Sequence, residues 1–173
     1  METPQRKTLV LGLGNLLLGD EGVGVHAAQA LMEECFEDVE IQDTGTAILD
    51  ALPALKRAKR VIVLDAMKGG GTPGTIYRIM MDQCMGNTCI GSLHGFDLRS
   101  VMTLAGCKTP PEVLVLGVEP AVIDWSMDLS PTVKNALPVL LDVVREELSE
   151  KHWSRILPPK VTTYRLSFER RYG

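Results

Sequence analysis

Three side chains in this sequence have the types and placements to build a metal or acid–base site: Glu21, Asp65 and His94. Glu21 stands in a glycine-rich loop, LGLGNLLLGDEGVGVH over residues 11 to 26, between an apolar run and a helical pattern. Asp65 closes a second apolar run, RVIVLD, and His94 sits in GSLHGFD, ahead of another helical pattern. Two carboxylates and one imidazole make a donor set with open positions, suited to a borderline divalent cation. Either carboxylate is also a candidate general base. Taken singly, each has an ordinary reading. Asp20 and Glu21 would cap the following helix and meet its positive end, about 0.3 to 1 kcal/mol each, Asp65 would start a solvated loop, and His94 would face solvent. What sets the three apart is their placement on loops after or near one sheet edge, where ligands of open α/β sheets bind.

Other chemistries lack their residues. A dinucleotide fingerprint would use Gly12 and Gly14, but Leu17 stands at the third glycine position, the loop is several residues too long, and no GK[ST] follows. There is no GxSxG and no HExxH, which disfavours the commonest serine-hydrolase and zincin mechanisms. Cys84 and Cys89 have the spacing of neither a zinc knuckle nor a redox pair. His26, inside the first helical pattern, and His152, near the end, read as structural or surface residues.

The elements that must position these groups alternate along the chain. Thr8 to Leu13 reads as a buried strand, Gly22 to Cys35 as a helix, Val39 to Asp43 as a strand, Ile48 to Leu55 as a short helix and Arg60 to Leu64 as a third strand. Thr75 to Met80 follows too soon for a helical crossover, so an antiparallel edge strand is expected there. Residues 82 to 95 read as an irregular loop, 96 to 104 as a helix and 112 to 118 as the last strand. The final helix runs to Ser149, with Ser130 as its cap, Pro131 in its first turn and Pro138 bending it. The fold expected is a three-layer α/β/α sandwich on a mostly parallel, twisted, five-stranded sheet with one antiparallel edge strand.

A chain of 173 residues, 45% apolar and 23% charged, fits one compact domain over residues 1 to 150 with a basic extension over 151 to 173. Residues 1 to 150 carry twelve basic against twenty-one acidic side chains, a charge of −9, and the extension carries six against one, +5. An acidic body argues against nucleic acid as a partner, since it has no surplus of cations to displace counterions. Four cysteines without a CxxC pair suggest a reduced, cytoplasmic setting. Gly12, Gly14 and Asn15 break the first apolar stretch, so it reads as a strand and loop and not as a leader. No run reaches the roughly 20 apolar residues of a membrane span.

In order along the chain stand LVLGLGNLLLGDEGVGVHAAQAL, DTGT at 43 to 46, VIVLDA at 61 to 66, GTPGTI at 71 to 76, SLHGFDL at 92 to 98, GVEP at 117 to 120 and LSPTV at 129 to 133. This ordered set resembles the nickel-iron hydrogenase maturation endopeptidases from residue 8 to about 148. The resemblance implies a peptidase that removes a short C-terminal peptide from the immature large subunit after nickel insertion, near that subunit's last cysteine motif. It also implies that the family's nickel-contacting Glu, Asp and His are Glu21, Asp65 and His94. The nickel would be the substrate's own, a recognition handle, with no organic cofactor. Water activation would fall either to a metal, which polarises a carbonyl or acidifies a bound water, or, as in an aspartyl peptidase, to Asp65. A nickel-dependent chaperone or checkpoint that cleaves nothing would use the same ligands. A downward mass shift of the large subunit separates the two.

Overall fold

The computed structural model describes residues 8–81, 106, 111–149 and 162–164. Five strands assemble as expected: β1 (Thr8–Leu13), β2 (Val39–Gly45), β3 (Arg60–Ala66), β4 (Ile76–Met80) and β5 (Glu112–Val118). The sheet order is β2-β1-β3-β5-β4, with a three-residue β6 (Thr162–Tyr164) beyond β4. β1, β2, β3 and β5 are mutually parallel where they pair. β4 runs antiparallel to β5, as its short approach required, and β6 adds antiparallel to the outer side of β4. The segment beyond residue 150 therefore contributes a short sixth strand to the mixed sheet.

The alternation of apolar side chains divides the core between the two sheet faces. Val10, Ile62, Leu64, Leu114 and Leu116 point to one face, under helix α1 (Val23–Met32) and the long C-terminal helix α3 (Pro131–Ser149). Leu9, Leu11, Val61, Val63 and Val113 point to the other, where they meet Ile48, Ala51, Ala54 and Leu55 from a 3-10 turn and the short helix α2 (Leu52–Leu55). Ser130 caps α3: its Oγ accepts the Val133 N–H at 3.3 Å. Pro131 starts the helix and Pro138 is accommodated inside it. At the other end Glu147 receives two bonds from the Arg78 guanidinium of β4, at 2.6 and 3.2 Å, which fastens α3 to the antiparallel side of the sheet.

α1 starts at Val23 and is preceded by a 3-10 turn, Gly19–Gly22, that carries Glu21. It packs backbone to backbone on the sheet. A methyl on Gly24 would lie 2.1 Å from the Leu64 carbonyl oxygen and 2.3 Å from that of Leu13. Only glycine lets the start of α1 settle over the carboxyl ends of β1 and β3. The expected helix over 96 to 104 and the loop over 82 to 95 lie outside the described residues. Among the described residues no helix is long and apolar enough to cross a membrane, and Cys35 is a free, exposed thiol.

Candidate functional site

β1 connects leftward to β2 and β3 lies on β1's other side, so the connections diverge between the ends of β1 and β3. This is the switch point at which open α/β sheets bind their ligands. Asp65 lies inside β3, paired across to Gly117 of β5 and one step beyond the Gly12–Leu64 pair of β1 and β3. It is 2% exposed, and its Oδ1 accepts the N–H of Ala66 at 2.8 Å. Asp65 is thus a buried strand residue and not the start of a solvated loop. Glu21, 8% exposed, sits in the 3-10 turn that packs against β3. Gly14 allows that fold-back: at φ +142° it leaves no room for a side chain, since a methyl there would lie 2.1 Å from the Glu21 carbonyl oxygen. Of the three expected site residues, Asp65 therefore lies near the end of β3 and Glu21 in the turn after β1 that packs against β3, both buried. His94 lies outside the described residues.

Asp20 does not cap α1. Its Oδ2 accepts the N–H groups of Ala121 and Val122 at 2.8 and 2.9 Å, and its Oδ1 accepts that of Ser130 at 2.7 Å. One buried carboxylate thereby ties the loop of Glu21 to the segment between β5 and α3. The tie is reinforced by main-chain bonds from Gly19 N–H to Ser126 O at 2.7 Å and from Ser126 N–H to Leu17 O at 3.0 Å. Three charge-assisted bonds onto one anion make this latch strong.

Glu119, in the GVEP stretch, does similar work for the loop that follows Asp65. Its Oε2 accepts the N–H groups of Gly69 and Gly71, at 2.8 and 3.2 Å, and the hydroxyl of Tyr77. Burial, together with the bond to Glu119, pushes the Tyr77 hydroxyl above its ordinary pKa of 10. Tyr77 therefore remains a donor to Glu119 at neutral pH while accepting from Gly71 N–H at 2.8 Å. On the β2 side, the Thr44 hydroxyl donates to Gly12 O at 3.0 Å and Gly14 N–H to Gly45 O at 3.0 Å, so DTGT is joined to the first loop. Sequence reading missed the roles of Asp20, Glu119 and Tyr77. The available signal was an acidic residue on each side of the switch point with no basic partner nearby in sequence. His26 is half-buried on α1, and His152, Cys84 and Cys89 lie outside the described residues.

A family model described as hydrogenase maturation protease matches residues 25–147. The chain is 32% identical over 150 residues to the hydrogenase expression/formation protein HupD of Thiocapsa roseopersicina, covering 82% of this chain and 67% of that protein. It is 30% identical over 152 residues to the hydrogenase 2 maturation protease of Escherichia coli (strain K12), covering 83% and 92% respectively. Among solved structures, the hydrogenase maturating endopeptidase HybD from E. coli superposes with a TM-score of 0.70 at 28% identity, over 82% of this chain and 91% of that one.

Proposed function

The chain belongs to the hydrogenase maturation protease family, a family of peptide-bond hydrolases, and from that premise we propose that it removes a short C-terminal peptide from the immature, nickel-loaded large subunit of a nickel-iron hydrogenase. The observation that carries the reading is the pair of buried carboxylates, Glu21 and Asp65, flanking the switch point of the sheet. Glu21, Asp65 and His94 offer two oxygen donors and a nitrogen donor to a nickel that the substrate brings. Holding that ion holds the adjoining tail, so a flexible peptide becomes an oriented amide, and orientation is among the larger contributions available to a hydrolase. Asp65 is the general base for the attacking water, because it is the carboxylate set within the rigid strand. The reduced thiol Cys35 fits a cytoplasmic setting.

The test is incubation of the purified chain with a panel of large-subunit precursors, each nickel-loaded and nickel-free, read by mass spectrometry. The expected result is loss of one C-terminal peptide from a nickel-loaded precursor only. Shortening of both forms overturns the role of nickel. Stable binding without shortening would make the chain a checkpoint and overturn proteolysis.

A further inference from the structure

The Asp20 latch holds out a surface that the chemistry at Glu21 and Asp65 leaves unused. Leu17 is 48% exposed, Val122 53%, Trp125 79% and Met127 69%. Leu17 lies four residues before Glu21, and the other three lie on the segment latched to it. A Trp left this open is costly to solvate and is the side chain most often found at the energetic centre of protein interfaces.

The patch is rigid as well as open. Gly19, at φ +59°, is ringed by the carbonyl oxygens of Val122, Asp124 and Asp128, all within 3.3 to 3.7 Å of where a methyl would stand. Leu18 and Ser126 form a parallel bridge. The Ser126 hydroxyl accepts from Asp128 N–H and donates to Asp128 O, both at 3.0 Å, and Trp125 N–H donates to its neighbour Asp124 at 2.8 Å. A preformed apolar platform loses little conformational entropy on binding. Asp124 and Asp128 stand exposed between its apolar residues, so the surface that complements it is apolar with cationic borders.

We propose that Leu17, Val122, Trp125 and Met127 form the platform on which the folded body of the large subunit docks, through an apolar segment bordered by Lys or Arg, while its C-terminal tail reaches Glu21 and Asp65. This rests on the protease reading above and names the surface that delivers the substrate to that site. The occupant follows from continuity: the platform and the Glu21 turn are one latched unit, so a protein whose tail enters the site must cover ground beside it. The division of labour is that the platform supplies affinity and the carboxylates supply chemistry.

The test uses the full chain and whichever precursor of the panel binds it. The double variant Trp125→Ala/Met127→Ala removes exposed side chains and is expected to melt like the parent. Affinity for the precursor should fall about tenfold or more, with KM rising in step and kcat at saturation unchanged. In a Trp153→Phe background, which leaves Trp125 as this chain's only tryptophan, the emission of the mixture minus that of precursor alone should shift to the blue relative to the free chain. That readout leaves the platform residues themselves unchanged. Unchanged affinity in the double variant, an unshifted Trp125 emission, or a fall in kcat with KM intact overturns the platform. A parent chain that binds a precursor without cleaving it overturns proteolysis and leaves docking to be judged by affinity. Failure to bind any precursor overturns both.

Discussion

Asp20, the neighbour of Glu21, has a structural task that substitution can test. Asp20→Ala would leave the N–H groups of Ala121, Val122 and Ser130 without their acceptor. An unsatisfied polar group costs about 1 to 3 kcal/mol where it stays buried, so urea unfolding of Asp20→Ala should show a loss of at least that size. Asp20→Asn keeps one good acceptor oxygen and should recover part of it. A variant as stable as the parent would mean that water replaces the latch without cost. Asp65→Asn tests the chemistry instead, keeping shape while removing charge. Processing of the nickel-loaded precursor should fall at least about tenfold, roughly 1.4 kcal/mol of transition-state stabilisation, with the melting temperature retained. Cleavage at the parental rate would reduce Asp65 to a buried strand residue that bonds its neighbour's N–H.

The elements depend on close backbone contacts that propensity alone would misjudge. An alanine inside a helix is ordinarily worth about 1 kcal/mol over glycine. At Gly24, however, the added methyl would meet the Leu64 and Leu13 carbonyl oxygens at 2.1 and 2.3 Å. The backbone cannot yield there without moving α1 off the ends of β1 and β3, so Gly24→Ala should destabilise the fold in chemical denaturation despite its better propensity. Because the Glu21 turn is continuous with α1, processing should fall as well. A more stable Gly24→Ala would show that α1 rides higher on the sheet than these contacts imply. Three sequence-level expectations hold: β4 is antiparallel, Ser130 caps, and Pro138 does not end α3, whereas α1 stops at Met32, short of the expected Cys35. α3 is also tied to the residue just past α1's end region, where the Arg145 guanidinium grips both oxygens of Glu34. That pair is exposed enough for solvent to screen most of its worth.

For the molecule as a whole, the question is how much the basic segment beyond residue 150 matters. Among the described residues, every member of the two core clusters precedes Ser149. Truncation after Ser149 should therefore leave the α/β body folded, as read by circular dichroism and a cooperative melt. The loss of β6 would uncover the outer side of β4, an edge open to strand pairing. The truncated chain should accordingly show more concentration-dependent association than the parent. The segment's +5 charge opposes a body of −9. If it steers an anionic surface of the substrate, the parent's advantage in capture rate should shrink as salt rises and the screening length falls toward about 8 Å. A truncated chain that unfolds would show that the segment packs into the core.

Much of this was legible from the sequence, for a physical reason. Strand and helix periods, glycines before close approaches, a serine and proline at a helix start, and the ordered motifs are all local patterns, and local sterics and burial act on neighbours along the chain. They were enough for the α/β architecture and for placing Glu21 and Asp65 on one edge. Which distant groups a side chain meets is not a local property. The N–H groups held by Asp20 lie 101, 102 and 110 residues away, and the Tyr77 hydroxyl reaches a carboxylate 42 residues off. Nor does local pattern say that Trp125 stands 79% exposed, on a segment whose two ends are bonded to Asp20. Only the tertiary structure, by closing those long loops, decided that Asp20 would latch two segments more than a hundred residues apart.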